Sequence, residues 1–139
     1  MIKEALETLF NLKPKEIVKY AQLEDVPHGK WIRLSDQKIV EHDKDLTPAV
    51  WYKRLSTRAQ GQEVFISRIF EGFGYHYHGH DCGEQVTPMT GDLRINNNQV
   101  IKKNEQFYFY PKTMHEVMVH RTDNGKYLDV LVEFVQYIK

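Results

Sequence analysis

The sequence predicts an all-β protein, a sandwich or barrel of short strands. Three observations carry that reading: β-rich runs recur at short, regular spacing, turn-forming residues separate them, and past the N-terminus no stretch shows a second helical period. Strands alternating with helices, the mark of a parallel sheet, are not what this pattern describes.

The elements follow in order. Residues 1–12 place Ile2, Leu6, Leu9 and Phe10 at helical spacing opposite Lys3, Glu4 and Glu7, so a short amphipathic helix is expected there, ended by Pro14. Its mixed charge suits a lid on the end of a sheet better than a membrane-surface helix. After Pro27 the texture changes to β-rich runs at 31–34, 50–55, 63–73, 85–87, 93–96, 100–102, 106–110, 116–120 and 127–137. Gly61-Gln62, Gly91-Asp92, Asn96 to Asn98, Lys103-Asn104 and Asp123 to Gly125 supply the turns between them. In the last run Leu128, Val130, Val132 and Phe134 share one face and Asp129 and Glu133 the other, so one face is core and the other is wetter.

A length of 139 residues fits one ordinary domain, with the helix over about 1–12 and the barrel over about 30–138. Lys plus Arg (19) balances Asp plus Glu (19), which leaves no basic footprint for nucleic acid and no net attraction to anionic membranes. Hydrophobic residues at 41% with charged residues at 27% describe a globular chain rather than a disordered one. One cysteine, Cys82, excludes an internal disulfide, and the N-terminus lacks the basic and apolar regions of a leader peptide, so a cytoplasmic location is expected.

The stretch that carries chemistry runs from Gly72 to Glu84. His76, His78 and His80 fall at alternate positions, which on an extended strand aims them to one side, about 6 to 7 Å apart in steps of two. Asp81, Cys82 and Gly83 read as a tight loop, with Gly83 free to take a positive φ, that returns the chain so that Glu84 can face the imidazoles. Imidazoles with a carboxylate make a nitrogen and oxygen donor set suited to a divalent transition ion.

Gly72, His78, His80, Glu84 and Gly91 stand at the spacing of the first motif of the cupin superfamily, which this region resembles. Tyr110, Pro111 and His115 are similar to the second cupin motif, where a further metal-binding His follows a Pro shortly downstream. There Asn104 takes the place of the family's turn Gly, Tyr110 that of its Pro (Pro111 follows), Lys112 that of a second Gly and Val119 that of a final Asn. Asn104 is the easy substitute, because Asn tolerates the left-handed conformation. The resemblance covers about residues 60 to 120. It implies a double-stranded β-helix, or jelly roll, in which His78, His80, Glu84 and His115 hold a divalent transition metal, with Fe(II) favoured and Mn, Ni, Co, Cu or Zn also compatible. A homodimer, a small-molecule substrate or ligand and the absence of nucleic-acid or membrane partners are expected with it.

Around that set, His76 is a candidate catalytic residue or a hydrogen-bond partner of the ligands, and His120, five positions past His115, falls on the other face of its strand. His28 and His42 lie in polar, turn-like segments. Cys82 reads as a small loop residue rather than a thiolate ligand. Among the aromatics at 75, 77 and 107–110, Tyr108 is a candidate substrate contact, although strand parity does not choose among them. Arg68 lies among Val64, Ile66 and Phe70, and turned inward it would grip a carboxylate. The functions expected are a metal-dependent enzyme, with a non-haem dioxygenase first and an isomerase or lyase next, or a non-catalytic ligand- or metal-sensing module.

Overall fold

The computed structural model describes residues 29–55, 63–78, 83–96, 98–110, 113 and 115–135. The helix expected over 1–12, His28, His80, Cys82 and Pro111 fall outside the described residues.

Eleven strands are described: β1 (Trp31–Arg33), β2 (Ile39–Val40), β3 (Val50–Arg54), β4 (Glu63–Phe70), β5 (Gly74–His78), β6 (Gly83–Pro88), β7 (Gly91–Ile95), β8 (Gln99–Ile101), β9 (Phe107–Phe109), β10 (His115–Thr122) and β11 (Tyr127–Val135). They form two antiparallel sheets, one in the order β2-β1-β3-β4-β11-β6-β9 and one in the order β5-β10-β7-β8. Nine of these strands match runs expected from the sequence. The two-residue β2 is too short to leave a periodic signal, and β5 lies just past the expected run at 63–73, which ends in the turn at Gly72, whose φ of +84° leads the chain from β4 into β5.

Two-residue alternation decides what each sheet buries. Along β11, Leu128, Val130, Val132 and Phe134 are each 0–2% exposed. Opposite them in β4 lie Phe65, Ser67 and Ile69, and the other sheet contributes Leu93, Ile95 and Val117. The main core therefore fills the space between the sheets, and each large aliphatic or aromatic side chain buried there stabilises the fold by roughly 1.5–3 kcal/mol.

The outer face of the seven-stranded sheet carries a second, smaller core of Trp31, Val40, Ala49 and Trp51, packed against Ile66 and Phe70. The indole N–H groups are satisfied locally: Trp31 Nε1 donates to Asp43 Oδ1 at 2.6 Å and Trp51 Nε1 to the Thr47 carbonyl at 2.8 Å. These bonds hold the segment after β2 against the sheet.

The turns behave as their residues require. Asn104 has a φ of +69°, the left-handed conformation expected where Asn replaces Gly. Asn124 Oδ1 accepts the backbone N–H groups of Lys126 and Tyr127 at 2.8 and 3.0 Å, and Gly125 takes a φ of +73°. Gly83 differs from expectation. It is not among the positive-φ residues but opens β6, and its missing side chain makes room for Tyr108, whose hydroxyl would lie 1.8 Å from an added Cβ. Close approach, not a turn, requires glycine there.

Candidate metal centre

The register of the seven-stranded sheet places Glu84 before any site is considered. Glu84 pairs with Phe134 of β11 on one side and with Phe109 of β9 on the other, and it shares its face with Val86 in the core. The carboxylate therefore points between the sheets, 4% exposed as a residue. His115 arrives from the other sheet. It is the first residue of β10, it is 2% exposed, and its parity matches Val117 in the core.

The two side chains meet. His115 Nε2 lies 3.2 Å from Glu84 Oε1. Phe109 fixes the imidazole from one side, its ring stacked on that of His115 with centroids 3.9 Å apart and planes inclined by 19°. A nitrogen and an oxygen at this separation can both bond one divalent ion at the usual ~2.0–2.2 Å, so the pair fits as two donors of a transition-metal site. Among the residues whose side chains are described, a set that excludes His76 and His78, no third His, Cys, Asp or Glu joins them in ligating range.

His78 enters through the backbone: its Cα is the direct partner of His115 across β5 and β10. Between that pair and the next, Val117 with Tyr75, the register shifts, so β5 carries one residue more than β10. His76 lies within that interval. The strict alternation that groups 76 with 78 in the sequence is interrupted there, which separates the place of His76 in the ladder from that of His78.

Two expected substrate contacts lie elsewhere. Arg68 shares its face with Ile66 and Phe70 on the outside of the seven-stranded sheet. Its Nε and Nη2 donate to the two carboxylate oxygens of Asp129 at 2.8 and 3.0 Å. The guanidinium lies 4.0 Å from the Tyr127 ring centroid and 4.8 Å from that of Trp31. That bidentate, stacked arrangement is a structural clamp, and it directs Arg68 away from the space between the sheets. Tyr108 pairs with Gln85, not with Glu84, and leans over Gly83 with its ring T-shaped against Tyr110 at 5.1 Å. Phe109, one residue on, faces inward and is buried, and Phe107 on the same side of the strand packs against the same core.

Other groups near the centre are visible only once the register is known. Tyr52 and Ser67, cross-strand partners in β3 and β4, line a small pocket together with Glu84, with room for about one water molecule. Arg54 shares the inward parity of Val50 and Tyr52 and is 4% exposed. Glu116, next to His115, has the opposite parity. Burial pushes its carboxyl above the ordinary value, and the Arg94 charge opposes that shift. His120 and His42 are exposed.

No family model matches the sequence, and no curated protein matches it. Solved structures do. The chain is similar to a cupin-like protein from Thermotoga maritima, with 20% identity and a TM-score of 0.55 over 65% of this chain and 71% of that one. It is similar to an RmlC-like cupin from Shewanella frigidimarina, with 12% identity and a TM-score of 0.54 over 68% and 83%. It is also similar to KdgF from a Halomonas species, with 17% identity and a TM-score of 0.53 over 70% and 91%. Identities in this range establish architecture and not chemistry. The two antiparallel sheets and these three likenesses show that the chain has the fold of the cupin superfamily.

Proposed function

We propose that this protein is a metal-dependent enzyme in which His78, His80, Glu84 and His115 hold a divalent transition ion, Fe(II) being the expected occupant, and that it acts on a small oxygen-containing molecule. One observation carries the reading: a buried carboxylate and a buried imidazole, brought from different sheets, stand 3.2 Å apart between them. Burying such a pair in an apolar interior is costly unless something offsets the lost hydration, and a shared cation would do so. The register supports a third donor, since His78 is the backbone partner of His115.

A bound ion of this kind supplies Lewis acidity or, as iron, dioxygen activation. The protein's own contribution is orientation. Phe109 stacked on His115 limits rotation of the imidazole, and the core on either side of Glu84 excludes bulk water. Dioxygenase chemistry is the first activity to assay, with isomerase and lyase chemistry next.

The test is elemental analysis of protein purified without chelator, alongside a His78→Ala/His80→Ala variant. Close to one transition ion per chain in the parent and its loss in the variant is the expected result. A parent protein that takes up no ion even after anaerobic loading with Fe(II) would overturn the proposal. Oxygen uptake by the loaded protein with diketones, catechols and thiols then tests turnover.

A second reading, ligand sensing without turnover, has one observation in its favour: the fold is also similar to an HTH_3 family transcriptional regulator from Vibrio cholerae, at a TM-score of 0.50 over 65% of this chain and 52% of that one. A ligand that raises the melting temperature and is recovered unchanged would support it.

A further inference from the structure

Of the six asparagines in the chain, Asn124 alone precedes a glycine. The pair lies in the turn between β10 and β11, and both residues are exposed. The chain on either side anchors this turn: the Asp123 N–H donates to the Thr90 carbonyl and the Glu71 N–H to the Lys126 carbonyl, each at 2.8 Å. Its conformation is therefore held by neighbouring loops as well as by its own residues.

Three features of the turn bear on the side-chain amide of Asn124. Its Oδ1 accepts the backbone N–H groups of Lys126 and Tyr127 at 2.8 and 3.0 Å. Two preorganised donors thus face the oxygen on which negative charge collects when the side-chain carbonyl carbon is attacked. A nucleophile stands close by along the chain, since the main-chain nitrogen of Gly125 reaches that carbon by closing a five-membered ring, with the advantage of an intramolecular reaction. Among the described residues nothing accepts a hydrogen bond from this nitrogen. Gly125 also leaves the approach open: it has no side chain, and a Cβ added there would meet nothing within 4 Å.

We propose that Asn124 is a self-modification site, at which the folded turn promotes loss of the side-chain amide. The Gly125 nitrogen gives its proton to hydroxide and bonds to Asn124 Cγ. The bond from Cγ to Nδ2 then breaks, and Nδ2 leaves as ammonia with a proton taken from water. Water opens the resulting cyclic imide at either of its two carbonyls and leaves aspartate or isoaspartate, with no oxidation or reduction at any stage. Either product adds a negative charge beside Asp123, whose carboxylate is shared by Lys103 and Arg121. Isoaspartate also lengthens the main chain just before Tyr127, whose ring stacks on the Arg68 guanidinium. That product should loosen the end of the sheet where β11 begins.

Peptide-level mass spectrometry of the full chain tests this, with samples held at mildly alkaline pH both native and in urea. K126P, whose proline lacks one of the two donors to Oδ1, is treated in the same way. The native parent should gain about 1 Da at Asn124 before any other asparagine is modified. It should do so about tenfold faster than the parent in urea, because the donors are aligned only in the folded turn. Native K126P should lose most of that advantage and keep the parent's rate in urea. The proposal is overturned if Asn124 reacts no faster in the native chain than in urea, if another asparagine reacts first, or if native K126P reacts as fast as the parent. The comparison of native with denatured parent needs no variant, so it decides the question if K126P does not fold.

Discussion

His115 Nε2 and Glu84 Oε1 stand 3.2 Å apart although one residue opens a strand of the four-stranded sheet and the other lies in the seven-stranded sheet. The contact spans the interior of the protein. An ion bound by both side chains, as proposed, would also tie the two sheets together, so its loss should register in stability as well as in chemistry.

Metal removal should therefore lower the melting temperature. For a ligand at a hundredfold excess over its dissociation constant the stabilisation is about 2.7 kcal/mol. Glu84→Gln, which keeps the size of the side chain and removes its charge, should shrink the difference between loaded and stripped protein towards zero in differential scanning calorimetry. An undiminished difference would remove Glu84 from the site.

Phe109→Ala should cost about 3–5 kcal/mol, because it empties a core position and frees the face of His115. Phe109→Leu, which fills most of that volume without a ring, separates the two effects. It should fold with a smaller loss and bind metal roughly tenfold more weakly, as expected when a group that orients a ligand is removed. Equal metal affinity in Phe109→Leu and the parent would show that the stacking does not orient the imidazole.

Arg68 and Asp129 should couple strongly in stability and not at all in metal content. Their side chains are 12% and 13% exposed and share two hydrogen bonds. A double-mutant cycle with Arg68→Met and Asp129→Asn should give an interaction energy of about 1–3 kcal/mol by urea denaturation. A change in metal stoichiometry in either variant would contradict the outward placement of this pair.

Gly83→Ala should destabilise by about 1–3 kcal/mol through crowding against the Tyr108 ring. Adding Tyr108→Ala should recover part of that loss, since the clash lies in one side chain. If Gly83→Ala is neutral, the tyrosine moves freely and the close packing at this edge is not a constraint.

Acid should weaken one surface pair in a defined window. The Arg33 guanidinium, hydrogen-bonded to Asp36, holds that carboxyl at about 2, below its usual 3.8. A carboxyl whose value is depressed by folding contributes stability above its unfolded value and loses it as pH falls through the folded one. Asp36→Asn should thus lower the melting temperature by about 1–3 °C at pH 6, the small effect of a solvated pair, and by steadily less as pH falls from about 4 through 2. A constant difference across that range would exclude the ion pair as its cause.

Much of the architecture was legible because period-two patterning is a local property. The run from Tyr127 shows its buried face without reference to any other strand, and Asn104 announces a left-handed turn through its own side chain. The extra residue in β5 was not legible: a bulge is defined by two strands, and only the pairing of His78 with His115 reveals it. Arg68 and Arg54 show the same limit. Each is a lone cation in an apolar run, and the sequence does not say which face of the strand is the inner one.

By itself the sequence determined an all-β chain, the turns that divide it, and Glu84 and His115 as candidate donors, because alternation, turn chemistry and motif spacing are written in neighbouring residues. Only tertiary structure decided that Glu84 meets His115, that Phe109 rather than Tyr108 faces them, and that Arg54 rather than Arg68 shares their interior. These are relations between strands distant along the chain. They are set by register and by the packing of one sheet on the other, and a one-residue change of register would turn each of these side chains to the opposite face.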